Sequence, residues 1–218
     1  MAKPVLTISS KNYGAWALRG WLMARLAGLE FTEKIIPPED PAMKAEMLLL
    51  SSSMLVPSLL HDGIQVWDTL AIGEYLHEIK PRAGLWPADT KARAHCRAIC
   101  GEMHSGFSAM RGALPMNIKA HFPHFKVWSR AQADIERVLA IWKQCFAAYK
   151  GPFLFGKQPC IADAMYAPVA TRFQTYDVKP DAVSTAYAKR VLAHPFVVEW
   201  MEAAKLEKEE IEELEVEF

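Results

Sequence analysis

Asp68-Thr69 stands where a pair of short apolar runs hands over to a helical pattern, and it is the pair best suited to hold a charged ligand. The first turn of a helix carries amide N–H groups without partners and the positive end of the helix dipole. A ligand carboxylate is well held there by the Thr69 amide and hydroxyl, while Asp68 offers the complementary charge to an ammonium group. A group with both charges on one carbon suits the pair, although the same residues also make an ordinary helix cap. Upstream, Val56-Pro57 opens a strand where the backbone must turn outward. A cis bond would present the Val56 amide and carbonyl to an extended peptide, whereas a trans proline would only begin an edge strand. With Asp68-Thr69 following at this spacing, the cis form is expected.

Two further groups carry chemistry. The loop Ser9-Ser10-Lys11-Asn12-Tyr13-Gly14 is rich in hydrogen-bond donors. Met103, Phe107, Met110 and Leu114 share one helical stripe, with His104 and Arg111 beside it. Such a stripe makes an adaptable apolar wall for a ligand, or simply core. His121-Phe122-Pro123-His124 reads as a loop without a third ligand, so no metal is expected. The four cysteines, Cys96, Cys100, Cys145 and Cys160, lack framework spacing and read as reduced thiols. There is no Cys-x-x-Cys after the first strand and no glycine-rich phosphate loop.

These groups need a scaffold. Pro4 to Ile8 reads as a buried strand, Trp16 to Ala27 as a helix ending at Gly28, and Phe31 to Ile36 as a second, parallel strand. A weaker helix covers 41–50. Val56 to His61 and Ile64 to Trp67, joined by Asp62-Gly63, form a hairpin with a type I′ turn. Leu70 to Ile79 is a helix capped by Asp68-Thr69, and a linker with two prolines and a glycine follows. Beyond it only helices are expected: Thr90 to about Ala120 in one piece or two, Val127 to Tyr149, Ile161 to Tyr176, Asp181 to Leu192 and Pro195 to Leu206. Asp163 sits three residues after Cys160, the spacing of a capping box. The tail from Glu207 to Phe218 carries seven glutamates and reads as solvated surface. Lysine plus arginine balances aspartate plus glutamate at 25 each, which gives no sign of a nucleic-acid partner. No apolar run reaches the roughly 18 residues of a membrane span, and the first residues are too short a run for a signal peptide. A cytoplasmic location is expected.

In this order the elements resemble the glutathione transferase superfamily, and the zeta-like bacterial members most closely. The resemblance rests on Val56-Pro57-Ser58-Leu59, on Asp68 to Leu76, on Gly84-Leu85-Trp86-Pro87 and on Ile161-Ala162-Asp163-Ala164 leading to Pro168, and its zeta-like side on Trp16-Ala17-Leu18-Arg19 and Glu102 to Asn117. It implies an α/β plus all-α fold: a thioredoxin-like N-terminal domain over 1–80, a linker over 81–90 and a helical C-terminal domain over 91–218. It implies glutathione as co-substrate, held by Val56, Pro57, Asp68 and Thr69. The thiol would be activated from the first loop, where Ser10 and Tyr13 come first as hydroxyls and Asn12, which falls on the family's catalytic serine, comes next. Met103, His104, Phe107, Met110, Arg111 and Arg172 would take a small electrophile, the two arginines suiting an acidic one; Arg172 lies one turn earlier than the family's arginine. Before the proline, Ser53-Met54-Leu55 lacks the family's charged or amide side chain. A homodimer is also implied. The alternative is a binding or regulatory protein without thiol activation that docks on a partner through its acidic tail.

Overall fold

The computed structural model describes residues 3–36 and 56–208. The helix expected over 41–50, the Ser53-Met54-Leu55 segment and residues 209–218 lie outside the described residues.

Strand β1 (Val5–Ile8) runs into helix α1 (Ala15–Leu26), which returns the chain to β2 (Thr32–Ile35), parallel to β1 with Val5 opposite Thr32. Strands β3 (Ser58–His61) and β4 (Ile64–Trp67) form the expected hairpin. Its turn residues have φ of 49° at Asp62 and 79° at Gly63, the two positive values that a type I′ turn demands. Antiparallel pairing of β3 with β1 completes a sheet in the order β2-β1-β3-β4. Helix α2 (Thr69–Ile79) follows and buries Ile72 and Leu76. The proline-containing stretch after it holds a single 3-10 turn, Pro81–Ala83, and is fastened down. Leu85 and Trp86 are buried, and the Leu85 carbonyl accepts from Ile161 N at 2.9 Å.

From there on the named elements are helices: α3 (Thr90–Ser105), α4 (Ser108–Ala113), α5 (Ser129–Tyr149), α6 (Ile161–Thr175), α7 (Ala182–Leu192) and α8 (Pro195–Lys205). The stretch read as one helix or two is two. The break lies at Gly106, which is extended, and Phe107, which is left-handed with φ 61°. A Cβ on Gly106 would lie 2.8 Å from the Glu102 carbonyl oxygen, so the close return of the chain there requires glycine.

Helix α6 is buried along nearly its whole length, and α1 packs across it. Asp163, in its first turn, accepts from Cys160 N at 2.8 Å, as the capping-box spacing predicts. It also accepts from Leu154 N at 3.1 Å and from the Tyr187 hydroxyl at 2.9 Å, tying three segments to one carboxylate. Burial pushes its pKa up even against those hydrogen bonds. Around it lie Trp142, Tyr166 and Tyr187, each no more than 1% exposed, with their rings edge to face.

All four cysteines are free and buried. Burial raises the thiol pKa of Cys145 to about 12 and drives that of Cys96 higher still. A buried thiol of this kind is a poor nucleophile at neutral pH, so thiol chemistry here calls for a ligand that brings its own sulfur.

Candidate functional site

Asp68 caps α2 and also faces α3. Its backbone has φ 75°, a left-handed-side value rare for a side chain that is not glycine. Its Oδ1 accepts from Leu70 N at 2.8 Å and Ala71 N at 3.2 Å, leaving Oδ2 to meet His104 Nε2 at 3.1 Å. The other ring nitrogen of His104 lies 3.4 Å from the Thr69 hydroxyl. One histidine of α3 therefore touches both members of the pair. Burial alone would raise the Asp68 pKa, but the hydrogen bond from His104 and those from the two amides outweigh it and hold the carboxylate below its usual range.

The ring of Trp16, from the first turn of α1, packs edge-on to His104 at 5.1 Å between centroids. Two guanidinium groups, those of Arg19 at 4.3 Å and Arg111 at 5.1 Å, lie over the same indole. Arg111 Nη2 donates to the carbonyls of Met103, His104 and Gly106, closing the end of α3. Arg19 is 1% exposed and donates its Nε to the Met165 carbonyl at 2.8 Å. Burial, with the charges of Arg111 and Arg172 nearby, drives its pKa well down. Arg172 is buried as well, with Nε on the Leu114 carbonyl at 2.7 Å and Nη1 on the Pro168 carbonyl at 3.1 Å. The first bond ties α6 to the segment after α4, the second stays within α6, and burial lowers the Arg172 pKa to about 9.

Met103 and Met110 are fully buried and Phe107 is 7% exposed, so in this chain the stripe is largely core, and the helix break divides it. The Val56-Pro57 bond is cis, as the spacing predicts, and both residues are buried. Pro57 sits tight against α1: a Cβ on Gly20 would lie 2.6 and 2.8 Å from two ring carbons of that proline. Gly20→Ala should therefore cost about 1–3 kcal/mol through overpacking, read as a lower unfolding midpoint in urea.

The first loop is held by the helical part of the chain. Ser10 Oγ donates to Glu207 Oε2 at 2.6 Å and accepts from Asn12 N at 3.0 Å and Tyr13 N at 3.2 Å. The Asn12 side chain is fully buried; its Nδ2 donates to Asn117 Oδ1 at 3.0 Å and its Oδ1 accepts from Lys119 N at 2.9 Å. Tyr13 is 5% exposed. Glu207, read from the sequence as the start of a solvated tail, is half-buried and engages this loop directly. No local pattern signals a contact across 197 positions. Arg19 was legible as a position in a helical period and in the Trp16-Ala17-Leu18-Arg19 motif, but not as a buried partner of Trp16 and Met165. Among the described residues no cluster of His, Cys, Asp or Glu could hold a metal ion, and no helix is long and apolar enough to cross a membrane.

Comparison with known proteins places this architecture. Residues 13–79 match the family model for the glutathione S-transferase N-terminal domain, and residues 121–203 match the C-terminal one. Maleylacetoacetate isomerase of Rattus norvegicus is 26% identical over 197 residues, 88% of each chain. A probable maleylacetoacetate isomerase of Caenorhabditis elegans is 30% identical over 108 residues, half of each chain. Among solved structures, a Burkholderia glutathione transferase homologue with bound glutathione superposes with a TM-score of 0.70 at 22% identity, covering 93% of this chain and 97% of that one. A maleylacetoacetate isomerase from Anaeromyxobacter dehalogenans with bound GSH gives 0.65, also at 22% identity, covering 94% of this chain and 96% of that one. The chain belongs to the glutathione transferase superfamily, on its zeta-like side.

Proposed function

We propose that the chain is a glutathione-dependent enzyme that transfers the thiol to a small electrophile or uses it to isomerise one. The observation that carries this reading is the Asp68-Thr69 pair at the start of α2, with His104 across both side chains. The ligand's α-carboxylate would take the Thr69 hydroxyl and amide, and its ammonium group the ionised Asp68. The main chain of Val56 beside Pro57 would pair with the cysteinyl peptide unit. Ser10, Tyr13 and Asn12 lie in the loop that would stabilise the thiolate. In transfer, sulfur forms a bond to carbon as a leaving group departs; in isomerisation, sulfur adds, the former double bond rotates, and sulfur leaves again. His104 and Arg111 are the side chains proposed beside the electrophile, Arg111 suiting an acidic compound, whereas Met103, Phe107 and Met110 are core behind them and Arg172 is spent on the Leu114 and Pro168 carbonyls. The isomerase relatives support that choice. A cytoplasmic homodimer belongs to the same proposal.

One observation favours the second reading, a binding or regulatory protein without turnover: the Ser10 hydroxyl proton is committed to Glu207. Its acidic tail falls mostly in residues 209–218, outside the described residues. Passage over immobilised glutathione, followed by assays with a generic electrophile and with a maleyl-to-fumaryl isomerisation substrate, separates the readings. Retention with turnover is expected. Retention alone would point to a more specialised enzyme, and neither retention nor turnover would favour the second reading.

A further inference from the structure

We infer that Glu207 is a positioning residue for the reaction, holding the loop between β1 and α1 in its working shape from the far end of the chain. The inference rests on the proposed reading of that loop as the thiol-activating one. Consecutive amides of a turn, pointing the same way, make a concave site for an anion. Here Lys11 N donates to Glu207 Oε1 at 2.6 Å and Asn12 N to Oε2 at 3.0 Å, with the Ser10 hydroxyl at 2.6 Å beside them. Three donors from three successive residues converge on one carboxylate, and bonds to an ionised acceptor are about twice as strong as neutral ones.

The same stretch is held at two more points. Trp200 Nε1 donates to the Lys11 carbonyl at 2.9 Å, and the Asn12 side chain is locked between Asn117 and Lys119. Lys11 turns its own ammonium to Glu33 at 2.6 Å, so its charge is spent on β2 and its amide on Glu207. Ser10 then acts as a relay. Its hydroxyl donates a hydrogen bond to Glu207 and accepts from the amides of Asn12 and Tyr13, so the position of the carboxylate fixes where Tyr13 and the first turn of α1 begin. Misplacement of an activating group by an ångström is enough to slow a reaction severely.

The test compares wild type with Glu207→Ala and Glu207→Gln. Glu202→Ala serves as control, since it removes a nearby exposed carboxylate whose partner is Lys205. Amide hydrogen exchange needs no ligand, and in Glu207→Ala protection at Lys11 and Asn12 should fall at least about tenfold while the β1 amides keep theirs. In glutathione conjugation, kcat should drop about ten- to a hundredfold with the glutathione KM nearly unchanged. The pH profile of kcat/KM should also move toward higher pH as thiolate stabilisation weakens. Acetate, a small carboxylate free to enter the vacated nest, should restore part of the kcat of Glu207→Ala in a saturable way. Glu207→Gln, which keeps one acceptor oxygen, should fall between the two, and Glu202→Ala should match wild type. Unchanged protection at Lys11 and Asn12 overturns the inference whatever the activity does. Lost protection with kcat and pH profile unchanged overturns it too. If the wild type does not react with glutathione, the functional reading fails instead, and amide exchange still decides whether Glu207 holds the loop.

Discussion

Asp68→Asn should weaken glutathione binding by about 10- to 100-fold while lowering stability only by the worth of the partly exposed His104 pair, about 1 kcal/mol or less. The separation follows from the two jobs of one carboxylate. Its Oδ1 caps α2 by accepting from Leu70 and Ala71, and asparagine caps a helix as well as aspartate does. The charge on Asp68 is what an ammonium group needs, and asparagine lacks it. A hydrogen bond to a charged partner is worth about 1.5–3 kcal/mol, which sets the fold-change. Asp68→Ala should lose both functions, adding about 1 kcal/mol of destabilisation to the same loss of affinity. Calorimetric titration with glutathione and a thermal melt of each variant read the two effects apart. Equal affinities for wild type and Asp68→Asn would remove the γ-glutamyl end from this position.

The lowered pKa of Asp68 fixes the sign of its acid dependence. Because the folded state holds the proton less tightly than the unfolded chain, ionisation contributes stability above the unfolded value, about pH 3.9. That contribution disappears as pH falls through the lower folded value, and Asp68→Ala should flatten this acid limb.

Asp163→Ala should be the most destabilising single change in the helical part, at about 3 kcal/mol or more by urea unfolding. Alanine would leave the Cys160 amide buried without Oδ2, and the Leu154 amide and Tyr187 hydroxyl buried without the Oδ1 they share. Each abandoned buried donor costs about 1–3 kcal/mol. Relief from burying a carboxylate offsets part of that sum. Asp163→Asn should not rescue the site, because an amide N–H₂ cannot accept from both Cys160 on one side and Leu154 with Tyr187 on the other. A destabilisation under about 1 kcal/mol for Asp163→Ala would mean that the three segments are held by packing alone.

The sequence made the scaffold legible where local rules are strong. Asp-Gly between two apolar runs specifies a hairpin, and Asp68 before an apolar helical period specifies a cap; both stand as expected. Aspartate three residues after Cys160 likewise foretold the bond to the Cys160 amide. Periodicity failed at α3 and α4, because a helical stripe can be drawn through Gly106 and Phe107 without sensing that Gly106 runs extended there. Arg111 lies on that stripe, yet the break lets its guanidinium turn back to cap the end of α3. The first loop was harder still. Its residue types announced donors, but which way Ser10 and Asn12 point is decided by Glu207, Asn117 and Lys119, more than a hundred positions away. Composition made Glu207 look like the edge of a charge run, and only tertiary contact marks it out.

The tie between Lys11 and the segment from Trp200 to Glu207 bears on how such a chain matures on the ribosome. Elements near the N-terminus leave the exit tunnel first, and synthesis proceeds at roughly 5–20 residues per second. Lys11 emerges long before Trp200 and Glu207, yet its amide and carbonyl find their partners only once position 207 is out. The sheet can assemble early from neighbours close in sequence, whereas the loop beside it must stay open for roughly ten seconds at the faster rate and about forty at the slower. Structure in that loop is therefore acquired after the strands, and a nascent chain stalled before α8 would hold the strands without it.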